Sequence, residues 1–143
     1  MLVSQILKEK GDVVFTASPS ETVQAAAALL HARRVGAMVV LDSGQKIVGI
    51  VSERDIVRVV AEKGAEGLTL TVADCMTRDV VFAHPQETVD SLLGRMTDRR
   101  IRHLPVCNKE GRLVGIISIG DLVKSKIAET VAEAEGLKAY ISA

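Results

Sequence analysis

Apolar residues along the chain follow two rhythms. Over 22–34 and again over 88–100 they recur three and four positions apart, as in Val89, Leu92, Leu93 and Met96, which lays one apolar stripe along a helix. Elsewhere they run without interruption, as in Met38-Val39-Val40-Leu41 and Ile47-Val48-Gly49-Ile50-Val51. Short continuous runs of that kind predict strands covered on both faces. The predicted pairs are 37–41 with 46–51 and 103–107 with 112–117. Asp42-Ser43-Gly44 and Asn108-Lys109-Glu110-Gly111 supply the residues a hairpin turn needs between them. Ahead of each first helix stands an extended piece, Val13-Val14-Phe15 or Val80-Val81-Phe82, followed by a proline turn. A second helix opens at Ser52 and at Ser118. The order β-α-β-β-α therefore occurs twice.

The two occurrences are copies. At a shift of 66 positions Pro19 meets Pro85, Glu21-Thr22-Val23 meets Glu87-Thr88-Val89, and Arg33-Arg34 meets Arg99-Arg100. Val48-Gly49-Ile50 meets Val114-Gly115-Ile116, Ser52 meets Ser118 and Asp55 meets Asp121. Roughly a third of the positions from 14 to 57 are identical to their partners, which marks an internal repeat. The predicted architecture is α/β (α+β), two repeats about a pseudo-twofold axis. The expected boundaries are 1–64 for the first repeat with an N-terminal helix, 65–77 for a linker, and 78–143 for the second repeat. Leu2, Val3, Ile6 and Leu7 give the N-terminal helix its stripe. Leu122, Val123, Ile127, Val131, Ala134 and Leu137 carry the last helix well past the repeat, towards Tyr140. That surplus of apolar helix predicts a self-association surface.

Composition narrows the function classes. The 143 residues carry 18 Lys+Arg against 18 Asp+Glu, and only 2% are aromatic. Neutral total charge argues against a general nucleic-acid binder, whose affinity comes from many uncompensated cations. The scarcity of rings argues against a single-strand stacking platform. No apolar run approaches the roughly 18 residues of a membrane span, and the N-terminus lacks a signal-peptide pattern, so the cytoplasm is expected. Cys75 and Cys107 read as isolated buried thiols. His31, His84 and His103 lack metal-ligand spacing, and no nucleophile–base set is legible, so neither a metal nor catalysis is expected.

The chemistry concentrates in a motif that occurs twice: Gly49-Ile50-Val51-Ser52-Glu53-Arg54-Asp55 and Gly115-Ile116-Ile117-Ser118-Ile119-Gly120-Asp121. Ser at a helix N-cap with an acid three residues later is a capping arrangement. The same geometry at the carboxyl end of a strand can hold a ribose, with the carboxylate accepting from its hydroxyls. The strand-end glycine would let a ligand approach the backbone. Both readings fit the residues.

The doubled β-α-β-β-α unit, each copy closing on Gly-apolar-apolar-Ser-x-x-Asp, together with His103-Leu104-Pro105-Val106, resembles a tandem cystathionine-β-synthase (CBS) domain pair, or Bateman module. The likeness to small stand-alone bacterial members covers nearly the whole chain. It implies adenosine-containing ligands in clefts between the repeats, reported to a separate effector protein. Carried over by motif, Ser52, Asp55, Ser118 and Asp121 would hold ribose. Thr16, Ala17, Ser18, Ala37 and Met38 in one repeat, and Phe82, Ala83, His84, Leu104 and Pro105 in the other, would hold adenine. The family often has Pro where the first repeat has Val39, which makes the two sites inequivalent.

Local charge adds a phosphate. Arg95, Arg99, Arg100, Arg102 and His103 stand against a single Asp98. The helix dipole accounts for Arg95 and Arg99. Arg102 and His103 lead directly into a predicted strand, and Arg54 occupies the first turn after Ser52; these three are assigned to phosphate. The expected ligand is AMP, ATP or NAD(H), bound by a homodimeric regulatory module that requires no cofactor. The competing expectation is a ligand-independent dimerisation or adaptor module whose Ser-x-x-Asp turns only cap helices.

Overall fold

The structure, a computed structural model, describes residues 1–11 and 13–142. The chain forms two compact units, one from Val14–Val80 and the other from the segments on either side of it.

In the first unit a three-stranded sheet runs in the order β1 (Thr16–Ala17), β2 (Ala37–Leu41), β3 (Ile47–Ser52). β1 is parallel to β2, and β2 is antiparallel to β3. The strand expected over Val13-Val14-Phe15 forms a little later in the chain, where Thr16 and Ala17 pair with Val39 and Val40; the Phe15 ring just before it lies under the Arg33 guanidinium at 4.4 Å. Helices α2 (Val23–Arg33) and α3 (Glu53–Lys63) cover one face. Val23, Ala26, Leu30 and Val59 from these helices pack with Ala17, Met38, Val40 and Val51 from the strands. A 3-10 stretch (Gly64–Thr69) and the short α4 (Val72–Cys75) complete the unit.

The second unit repeats this plan. α1 (Val3–Lys10), α5 (Val89–Arg99) and α6 (Ile119–Ser142) surround the hairpin of β4 (His103–Cys107) and β5 (Leu113–Ser118). Ala83 adds a single parallel bridge to Val106. Val3, Ile6, Leu92, Met96, Leu104, Val106, Ile117 and Leu122 form its core. Both hairpin turns are tied by a side chain that accepts two backbone amides. Asp42 Oδ1 takes Gly44 and Lys46 (2.9 Å each), and Asn108 Oδ1 takes Glu110 and Arg112 (3.1 and 2.9 Å).

The spatial grouping differs from the grouping by sequence. α1 precedes the first repeat, yet it packs in the unit of the second: Val3 N donates to Glu87 O and Ser4 N to Pro85 O, both at 2.9 Å. α4, expected in the linker, makes the same bonds in the first unit, Val72 N to Glu21 O and Ala73 N to Pro19 O. Each unit is thus closed by the helical segment that leads, in sequence, into the other repeat.

Candidate functional site

The two Ser-x-x-Asp turns fold alike because each strand ends beside the start of the preceding one. Ser52 pairs with Ala37 and Ser118 with His103. Glu53 N donates to Gly36 O (3.0 Å) and Ile119 N to Arg102 O (2.8 Å), which locks the entry into each helix. Ser52 and Asp55 form a reciprocal capping box at the start of α3. In the second unit Ser118 N donates to Asp121 Oδ2 (2.9 Å), and Asp121 N donates to Ser118 Oγ (3.1 Å). The capping chemistry is therefore present in both copies.

The carboxylates differ in everything else. Asp55 is 4% exposed and takes four donors. Ser52 N and Ser52 Oγ reach Oδ2 at 2.9 and 3.1 Å; Arg58 Nη1 and Thr77 Oγ1 reach Oδ1 at 3.0 and 3.3 Å. Asp121 is half-buried, and its Oδ2 receives Ser118 N and the Lys10 ammonium at 2.7 Å. Lys10 also donates to Ile116 O at 2.8 Å. Burial pushes the Asp121 carboxyl up, but the Lys10 ammonium and the Ser118 donors outweigh it and hold the group below the usual carboxylate range. Lys10, Arg58 and Thr77 were not among the residues expected from sequence. Arg58 was readable as an i,i+3 partner of Asp55 on one helix face; Lys10 and Thr77 reach their carboxylates only through the fold.

Strand alternation sorts the residues assigned to adenine. Successive side chains point to opposite faces. Ala17 and Met38, and likewise Ala83 and Leu104, lie in the helix-covered cores, so their side chains are core packing. Ala37 and Pro105 are buried outside those clusters, on the other face of their strands. Thr16, Phe82 and His84 are exposed and Ser18 half-exposed, each next to a core-facing alanine. His84 Nδ1 lies 3.1 Å from Cys107 O. Of the residues assigned to adenine, Thr16, Ser18, Phe82 and His84 thus keep exposed surface, while Ala37 and Pro105 are buried on the face of their strands away from the helices.

The strand-end glycines have a different role from the one expected. A Cβ at Gly49 would stand 2.6 Å from Met76 Sδ and 2.9 Å from Thr77 O; one at Gly115 would stand 2.5 Å from Leu7 Cδ2. Gly49 makes room for the segment just after α4, and Gly115 for Leu7 of α1. Among the groups assigned to phosphate, Arg102 and His103 stand at the start of β4, where His103 pairs with Ser118 and Arg102 O accepts from Ile119 N; Arg102 is exposed and His103 half-buried. Arg54 is exposed in the first turn of α3. Cys75 and Cys107 are buried, and burial raises both thiols, which keeps them protonated. Among the described residues no helix is long and apolar enough to cross a membrane.

Comparison with known proteins agrees with this architecture. The CBS domain model matches residues 4–62 and 72–127. A CBS-domain containing protein from Agrobacterium tumefaciens is 44% identical in sequence, with a TM-score of 0.85 over 87% of this chain and 92% of its own. The CBS domain pair of protein MJ0100, solved in complex with 5′-methylthioadenosine and S-adenosyl-L-methionine, is 28% identical, with a TM-score of 0.80 over 90% of this chain and 98% of its own. A CBS domain protein from Pyrobaculum aerophilum, complexed with AMP, is 28% identical, with a TM-score of 0.75 over 85% of this chain and 89% of its own.

Proposed function

The chain belongs to the CBS domain family, and we propose that it is a non-catalytic sensor of an adenine nucleotide, AMP, ATP or NAD(H). The observation that carries this reading is the turn at Asp121: a half-buried carboxylate held below the usual carboxylate range, just after a strand whose last residue, Ser118, pairs with His103 on the neighbouring strand. A carboxylate accepts from ribose hydroxyls, and a guanidinium and an imidazole answer a phosphate. Similar proteins hold AMP in one case and 5′-methylthioadenosine and S-adenosylmethionine in another, which supports an adenosine ligand. Phe82 and His84 supply the exposed surface for the base, and Ser118 assists at the ribose. The nucleotide signals by favouring one arrangement of the repeats, or one dimer geometry, over another, and the output passes to a separate effector protein in the cytoplasm.

Thermal shift with AMP, ATP, NADH and S-adenosylmethionine tests this directly. Ligand at a hundred times its dissociation constant adds about 2.7 kcal/mol, hence several degrees for a domain of this size. Absence of a shift with every member at millimolar concentration would leave the adaptor reading, in which the two turns are helix caps alone.

A further inference from the structure

The two Ser-x-x-Asp turns are copies in sequence, but among the described residues only one has an acceptor to spare. A carboxylate offers about four lone-pair sites. Those of Asp55 are all taken, by Ser52 N, Ser52 Oγ, Arg58 Nη1 and Thr77 Oγ1. Arg58 is itself anchored, since its Nη2 donates to Cys75 O at 2.9 Å. Thr77 is fixed by paired backbone bonds to Ile50, at 2.9 and 3.0 Å. The closure of Asp55 is therefore built into α3 and the turn after α4. A ribose there would have to displace donors held from both ends.

Asp121 is arranged differently. Lys124 stands on α6 where Arg58 stands on α3, and it makes no ion pair with Asp121. The cation comes from α1. Lys10 binds Oδ2 and Ile116 O together, and Ser118 N binds the same Oδ2. Among the described residues Oδ1 carries no hydrogen bond. The Asp121 side chain keeps 23% of its surface exposed, against 5% for that of Asp55.

We propose that the chain holds one ribose, at Asp121, and that Lys10 is the positioning residue for it. The ammonium fixes the carboxylate through Oδ2 and turns Oδ1 towards the ribose hydroxyls. This rests on the adenosine reading above and adds to it the choice of site and the part played by α1. Among the described residues, the charged and titratable groups nearest this turn are Lys10 from α1, which contacts the carboxylate, Lys124 one turn on in α6, and, from the start of β4, Arg102 and His103, whose backbones adjoin Ile119 and Ser118.

The sign of the pH effect follows from those neighbours. With Lys10 present the carboxyl stays ionised well into acid. Without it burial acts with less opposition, the carboxyl titrates at higher pH, and its acceptor is lost sooner as pH falls.

Isothermal titration calorimetry with AMP on the full chain, and with adenosine to remove the phosphate and its contact with His103, provides the test. The wild type is expected to bind one AMP per chain. Asp121→Asn is expected to lose binding altogether rather than retain a second site. Lys10→Met is expected to weaken adenosine about tenfold at pH 7.5, the size of one charge-assisted hydrogen bond. As the solution is acidified its affinity should fall away at a higher pH than that of the wild type, and Lys10→Arg should restore both. Two AMP per chain, or an undiminished site in Asp121→Asn, would overturn the choice of site. A Lys10→Met variant that binds as tightly as the wild type at every pH would overturn the role of Lys10. Should Asp121→Asn not fold, the wild-type stoichiometry and the Lys10 series decide alone. If the wild type binds neither AMP nor adenosine, the adenosine reading itself fails, a result distinct from all of these.

Discussion

Gly49 and Gly115 occupy matching places in the two repeats, but what lies over them differs in kind. Above Gly115 is the tip of a Leu7 side chain, which can turn aside; above Gly49 are Met76 and the Thr77 carbonyl, which is backbone. Thr77 also closes Asp55, so displacing it disturbs a buried carboxylate as well as a packing contact. Gly49→Ala is therefore expected to destabilise by about 1–3 kcal/mol, the range for overpacking, and Gly115→Ala by clearly less. Urea denaturation of the two variants measures the difference; equal losses would contradict the account of the closing segment. The Ser-x-x-Asp turns were legible in the sequence because spacing alone defines a capping box. Their inequivalence was not, because Lys10 lies 111 positions from Asp121 and Thr77 lies 22 from Asp55, distances that only the fold bridges.

At the scale of elements, both first helices end on a residue with left-handed backbone, Arg34 (φ 54) and Arg100 (φ 53), where glycine is the favoured occupant. A non-glycine residue in that region costs about 1–2 kcal/mol, partly offset by the greater freedom glycine has in the unfolded chain. Arg34→Gly is expected to raise stability by about 0.5 kcal/mol, read as a higher Tm by calorimetry. A lower Tm would mean that the Arg34 side chain makes a contact worth more than the strain. The helices and hairpins themselves were readable almost to the residue: 37–41 and 103–107 coincide with β2 and β4. Periodicity and turn residues are local signals, and these elements obey them. The placement of α1 is a tertiary matter. Its stripe of Val3, Ile6 and Leu7 says that it packs, and nothing in the stripe says on which repeat.

On the scale of the whole molecule, α6 continues for four turns past its last core contacts. Val123, Ile127, Val131 and Leu137 remain exposed along it, Ile127 by 59%. An unpacked helix of that length is marginal in water, so a partner surface is the physical expectation. Charge favours a second copy running antiparallel: Lys124 near the start of α6 would face Glu129, Glu133 and Glu135 further along it, Lys126 being already paired with Asp90 at 3.0 Å. Light scattering on a sizing column should return twice the 15.3 kDa chain mass for the wild type and a single chain for Ile127→Glu with Val131→Glu. A monomeric wild type would contradict the self-association reading. The neutral total of 18 charges against 18 conceals this separation, just as it conceals Arg102 and His103 together at the start of the strand that pairs with Ser118.

The central claim is that the Asp121 turn binds an adenine nucleotide. Its most direct test is the melting temperature of the wild type and of Asp121→Asn, each with and without millimolar AMP. The account predicts a rise of several degrees in the wild type and none in the variant, whatever the variant's own baseline. An equal rise in both, or none in the wild type, would contradict it.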